Sequence, residues 1–143
     1  MSAHASTKED DAAVLHFGAE FPIDECECLS DAEVSTILDN ALKSGSEDRP
    51  FLRKALEYAR RGAGARPTEV LKTEAVHIRQ ALENLEFPAP AGALHVFEIA
   101  SLTNLMGKDS EPEEAKALIP SLTRYTDDQL AQVLEAVANA KAA

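Results

Sequence analysis

The chain has 143 residues, of which 45% are hydrophobic and 27% charged, and its net charge at pH 7 is −11. This composition is typical of one globular domain, and no apolar run approaches the ~18 residues of a membrane span. The negative charge argues against a free nucleic-acid binder, which normally needs positive charge to contact phosphates. Residues 1–11 are polar and acidic, without the pattern of a secretory signal, and we expect them to form a disordered tail.

Residues 12–28 have a different pattern. Leu15 and Phe17 alternate around His16, and Phe21 and Ile23 alternate around a proline. Period two places side chains on one face of an extended chain. Everything that follows has a helical pattern, so this arm has no partner strand within the chain. We therefore expect the arm to pair with a sheet edge on another protein, with folding back onto its own helices as the open alternative.

From residue 29 to residue 143 the pattern predicts an all-α bundle of five to six helices. Ser30 and Glu33 form a capping box before the first helix, and Pro50 stands at the favoured first position of the second. A third helix covers roughly residues 67–85, and a proline-rich linker at 87–92 leads into three short amphipathic helices over 94–134. The remaining predicted start signals are Asp48, Ser110 and Thr126, and the stop signals are Gly45, Gly107 and Pro120.

The charge is uneven along the chain. Residues 49–72 carry seven basic side chains against two acidic ones, which gives +5 here and leaves −16 elsewhere. One interpretation is a solvated helix face that balances the acidic remainder. The other is a contact with RNA or with a polymerase. The residues that would make it are Arg53, Arg60, Arg61 and Arg66.

No pattern predicts catalysis, a metal site or a cofactor. Cys26 and Cys28 have no second pair, and the four histidines are scattered, so a four-ligand zinc site is not expected. Reduced thiols in an intracellular compartment fit the two neighbouring cysteines best. The sequence has neither a Gly-x-Ser-x-Gly elbow nor a phosphate-binding Gly-Lys-Ser/Thr loop, and His95 has the context of a packed or capping residue. Binding to macromolecules is the better class, without a small-molecule substrate.

Several short motifs occur in the order found in one family. Residues 94–105 read Leu-His-x-Phe-Glu-x-Ala-x-Leu-x-Asn-Leu, and residues 115–122 read Ala-Lys-Ala-Leu-Ile-Pro-Ser-Leu. Residues 15–21 and 28–34 carry weaker matches. Together they resemble the fourth subunit of RNA polymerase II, one half of the polymerase stalk, which has a counterpart in the archaeal RNA polymerase.

The resemblance implies a helical domain similar to the HRDC domain of helicases, a nuclear location and no catalytic residues. It implies a heterodimer with the barrel-containing seventh subunit, docked on the polymerase core, with roles in initiation and in handling exiting RNA. The arm and the first helix are where the family meets its partner. The partner-binding residues expected on this basis are Leu15, Phe17, Phe21, Ile23, Leu29, Val34 and Leu38.

Two alternatives remain open at this point. The chain could be the stalk subunit of another nuclear RNA polymerase, or a stand-alone HRDC-like module that binds nucleic acid. Two places depart from the family pattern. Residues 62–65 read Gly-Ala-Gly-Ala where aromatic and basic residues are usual, and residues 138–143 lack the family's aromatic tail.

Overall fold

The computed structural model describes residues 10–22, 25–45 and 49–142. Within these ranges it contains six α-helices and no β-strand, which confirms the all-α prediction. The helices are α1 (Asp31–Ser44), α2 (Pro50–Gly62), α3 (Thr68–Glu83), α4 (Val96–Leu105), α5 (Pro112–Leu118) and α6 (Asp127–Ala142). Short 3₁₀ helices cover Ala12–Val14 and Pro120–Arg124. None of the helices in the described ranges has the length and apolarity that a bilayer crossing needs.

The start of the N-terminal arm is not extended. Ala12–Val14 form a 3₁₀ turn that ends at Leu15, whose φ of 56° is left-handed, and Asp11 and His16 close this turn by a backbone bridge. Phe17 then packs on the bundle, with its ring centroid 5.3 Å from that of Phe97. The prediction of a continuous extended face is therefore wrong for residues 12–16, because the 3₁₀ turn and the left-handed Leu15 interrupt the extended backbone.

The helices α1 and α2 form an antiparallel hairpin, and α1 also packs on α3. The contact between α1 and α3 is made by small side chains, Ala32 and Ala75, around Leu71. The C-terminal end of α2 approaches the first turn of α1 so closely that a Cβ at Gly62 would clash with the carboxylate of Asp31. Small residues thus let the first three helices lie close together.

The main hydrophobic core lies between α3, α4, α5 and α6. These helices are too short to be stable in isolation, so they bury their apolar sides against one another. At the far end of α6, the ammonium of Lys141 donates to the carbonyls of Thr103 and Met106, at 3.0 and 2.5 Å. The fully buried large side chains of this core are Ile78, Leu82, Leu102, Met106, Leu122, Tyr125, Leu130, Val133 and Val137.

The predicted capping signals had different outcomes. The capping box of Ser30 is present, and Thr126 and Gln129 exchange the equivalent pair of hydrogen bonds at α6. Ser110 does not cap α5, because Pro112 begins that helix and the Ser110 hydroxyl accepts a hydrogen bond from the N–H of Gly107 instead. Asp48 lies outside the described residues.

Candidate interaction surfaces

The first helix buries two polar side chains and exposes a large apolar one. Ser35 and Asp39 are buried against the neighbouring helices, whereas Ile37 is 53% exposed. Val34 and Leu38 are half-buried on the same outward side. A helix in a free-standing bundle normally has the opposite arrangement. We call the outward set Val34, Ile37 and Leu38 the α1 surface.

Directional polar contacts hold α1 in this orientation. The carboxylate of Asp39 pairs with Lys43 at 3.0 Å and with Arg60 of α2 at 3.4 Å. The hydroxyl of Ser35 donates to the Asp31 carbonyl one turn earlier, at 2.8 Å. The N–H of Asp31 donates to the side-chain oxygen of Asn104 on α4, also at 2.8 Å. The bonds to Arg60 and Asn104 join α1 to other helices, so rotating α1 to bury its apolar side would break them.

A second clamp fixes the start of α1. The guanidinium of Arg79 on α3 donates to both oxygens of Glu33, at 2.6 and 2.8 Å, and to the carbonyl of Cys28 at 2.9 Å. Burial acts to raise the pKa of Glu33, but the interactions with Arg79 and Ser30 together outweigh it and hold the pKa below its ordinary value of 4.5. Arg79 therefore joins the end of the arm to the bundle. Glu33 and Arg79 are 46 residues apart in the sequence, so no local sequence pattern predicts this ion pair.

The expected partner-binding residues of the arm fall into two groups. Leu15 and Phe17 are half-buried, and the ring of Phe17 stacks on His95 and contacts Phe97. Phe21 is 57% exposed and Leu29 is also exposed. Ile23 lies outside the described residues. The later part of the arm, which directly precedes α1 in the chain, is thus accessible. Phe17, in contrast, packs against other residues of the same chain.

The four arginines of the basic segment are not equivalent. Arg60 contacts Asp39, and Arg66 makes a bidentate ion pair with the buried carboxylate of Glu74. This ion pair raises the pKa of Arg66 above its ordinary value. The guanidiniums of Arg60 and Arg66 thus serve the fold, whereas Arg53 and Arg61 are exposed on α2. Neither interpretation of the basic segment included these two ion pairs, because the acidic partners lie on other helices.

A polar hub stabilises the other half of the molecule. The fully buried carboxylate of Glu98 accepts from Arg124 at 2.6 and 2.7 Å and from the Ser121 hydroxyl at 2.6 Å. It also accepts from the N–H of His95, whose Nδ1 caps α4. Burial acts to raise the pKa of Glu98, but the hydrogen bonds from Arg124 and Ser121 hold it below 4.5. The prediction of His95 as a capping and packed residue is confirmed.

These two carboxylates predict an acid-sensitive fold. Because the pKa values of Glu33 and Glu98 are lower in the folded than in the unfolded chain, their stabilisation is complete above about pH 4.5 and is lost as the pH falls through the folded values. We expect the urea midpoint to fall between about pH 5 and pH 3. In Arg124→Met the fall should be smaller, since Glu98 has lost its guanidinium partner. A midpoint that stays constant down to about pH 3 would contradict this assignment.

In the part of the chain that the structure describes, no group of three His, Cys, Asp or Glu side chains is arranged to hold a metal ion. Burial raises the pKa of the Cys28 thiol, although the nearby Arg79 acts to lower it. In the polar clusters described above, the charged side chains form ion pairs with one another. Among the accessible features, the exposed apolar side chains on helix faces suit protein contacts.

The architecture is that of a small all-α domain whose first helix carries an outward apolar side, and this is the class of an interaction domain. Comparison with known proteins narrows the class. The sequence profile described as RNA polymerase Rpb4 matches residues 28–141, which is most of the chain. The chain belongs to this family, and the predicted resemblance is confirmed.

One curated relative is the DNA-directed RNA polymerase II subunit rpb4 of Dictyostelium discoideum. The two sequences are 43% identical over 70 residues, covering 48% of this chain and 38% of the relative. The match therefore spans less than half the length of that relative.

Proposed function

We propose that this chain is the non-catalytic fourth subunit of nuclear RNA polymerase II and forms the stalk as a heterodimer with the barrel-containing seventh subunit. In this role it supports initiation and the handling of exiting RNA while docked on the polymerase core. Family membership supports the polymerase assignment. The α1 surface is the observation that carries the heterodimer, because an outward apolar helix side fixed by inward ion pairs needs cover from another molecule.

The heterodimer surface in this proposal combines the α1 surface with the exposed part of the arm. Phe21 and Leu29 precede α1 in the chain and carry large apolar side chains in water. Ile23 stays in the proposal as a residue between them. Leu15 and Phe17 would contribute indirectly, by fixing where the arm leaves the bundle, since Phe17 is held by His95 and Phe97.

Replacing Ile37 with aspartate tests the proposal. We expect Ile37→Asp to weaken the complex with the seventh subunit by at least about 100-fold, because an unpaired carboxylate in an apolar interface costs several kcal/mol. The measurement is co-purification of the two co-expressed subunits, followed by titration at micromolar concentration. Phe21→Asp should have the same direction of effect if the arm is part of the interface.

Leu118→Asp is the matched control, since Leu118 on α5 is 52% exposed and Ile37 is 53% exposed. The two variants add the same charge to equally exposed sites. Equal binding by both would refute the α1 surface, and separate elution of the native subunits at micromolar concentration would refute the heterodimer. The large subunits that co-purify from cells distinguish RNA polymerase II from another nuclear polymerase.

A direct RNA-binding function has less support. Arg60 and Arg66 are committed to Asp39 and Glu74. Arg53 and Arg61 remain candidates for a weak contact with exiting RNA or with the polymerase core.

A further inference from the structure

The outward side of α2 carries a repeated pair of residue types. Phe51 is followed three residues later by Lys54, and Tyr58 is followed three residues later by Arg61. The two pairs are seven residues apart, which is two turns of helix. At about 100° per residue the four side chains fall within an arc of about 80°. Heptad spacing of this kind is typical of a helix that packs along another helix.

Both rings of this repeat lie in water. Phe51 is 69% exposed and Tyr58 is 71% exposed, although large aromatic side chains are usually well buried. The inward side of α2 is formed by the buried residues Leu56 and Ala59. Ala55 lies between the two rings on the exposed side, so the stripe has large, small and large members at intervals of four and three residues. This alternation provides the knobs and the gap that helix packing requires.

The flanking charges indicate the chemistry of the occupant. Lys54 and Arg61 border the stripe, and among the described residues neither makes an ion pair, in contrast to Arg60 and Arg66. A second copy of this chain is a poor occupant, because pairing α2 with itself brings these basic edges together. Glu57 and the acidic remainder of the chain disfavour a phosphate backbone. An acidic helix complements both the spacing and the charge.

We propose that Phe51, Ala55 and Tyr58 on α2, bordered by Lys54 and Arg61, form a docking surface for an acidic amphipathic helix of a partner protein. Its apolar residues pack along the aromatic stripe, and its carboxylates lie beside the two basic side chains. The α1 helix packs on α2 through other residues, among them Arg60, which pairs with Asp39 of α1. None of these side chains belongs to the α1 surface, so the proposal can be tested separately from the heterodimer.

Two idealised helical peptides test this docking surface on the full chain. Both have three heptads with leucine at the core positions, and their flanking positions are glutamate in one and lysine in the other. We expect the glutamate peptide to bind at least about ten-fold more tightly at low salt, because charge complementarity sets partner choice. Tyr58→Ala should weaken it about five-fold or more. The double variant Lys54→Glu, Arg61→Glu should reverse the preference between the peptides.

Val76→Ala on α3 is the control, since Val76 is also an exposed apolar side chain, and it should leave the affinity unchanged. All of these substitutions are at exposed positions, so thermal unfolding should report an intact fold. No binding of the glutamate peptide at about 1 mM would overturn the proposal. So would a preference that persists after charge reversal. Binding of an oligouridylate with neither peptide bound would make α2 a nucleic-acid surface instead.

Discussion

Replacing Arg124 with methionine is expected to lower the free energy of unfolding by about 3–5 kcal/mol, the range found when one partner of a buried ion pair is removed. Arg124 donates to both oxygens of Glu98, which is fully buried, and to the carbonyls of Ala91 and Ala93 in the linker before α4. Methionine keeps much of the volume but leaves the carboxylate buried without its cation. Urea unfolding at neutral pH measures the difference.

Lys116→Met is the matched comparison for this experiment. Lys116 and Arg124 have the same side-chain exposure, 27%, but the partner of Lys116 is Asp127, which is 71% exposed. An ion pair with a solvated partner contributes about 0–1 kcal/mol. The two variants therefore separate the effect of a buried partner from the loss of a charge. Equal losses in the two variants would show that the Glu98 hub does not stabilise the fold.

Replacing Leu130 with alanine is expected to cost about 2–5 kcal/mol, because it removes a fully buried side chain and leaves a cavity. Leu130 lies in the first turns of α6, where that helix packs on α3 and α5. The size of the loss depends on how far these helices can close around the gap. Thermal or urea unfolding of the purified variant gives the value, and circular dichroism should show that the helix content is retained.

Leu105→Ala provides the reference for the same chemical change at a solvent-exposed position. Leu105 is the last residue of α4 and is half exposed. Surface substitutions of this kind usually change stability by less than about 0.5 kcal/mol. A Leu130→Ala variant as stable as Leu105→Ala would mean that α6 is not part of the core.

The helices were predictable because their signals are local. Apolar residues at intervals of three and four predicted the helical elements, and the capping boxes at Ser30 and Thr126 predicted the starts of α1 and α6. The prediction that Ser110 caps α5 was wrong, because its hydroxyl accepts a hydrogen bond from the N–H of Gly107 in the preceding turn. Local competition of this kind is not visible in a hydrophobic pattern.

The candidate surfaces were predictable only in part, because they depend on which face of a helix meets its neighbours. The apolar residues of α1 were assigned correctly to a helix, but the burial of Ser35 and Asp39 instead of Ile37 follows from contacts with α2 and α3. For the same reason the sequence could not separate Arg60 and Arg66 from the other arginines of the basic segment. Their acidic partners are eight to 21 residues away.

The arm illustrates a further limit. Alternation around His16 predicted an extended strand, yet residues 11–16 close into a turn and Phe17 covers part of α4. A pattern of period two over a few residues describes which side chains share a face only if the backbone is extended throughout. The left-handed residue at Leu15 breaks that condition.

The outward apolar side of α1 also affects how such a subunit fares before assembly. A monomer that exposes Ile37 beside Val34 and Leu38 has an apolar surface that chaperones, proteases and other copies of the chain can bind. If this side is covered only in a complex, molecules made in excess of the partner are degraded or aggregate. The cellular amount of the subunit then follows the supply of its partner rather than its own rate of synthesis.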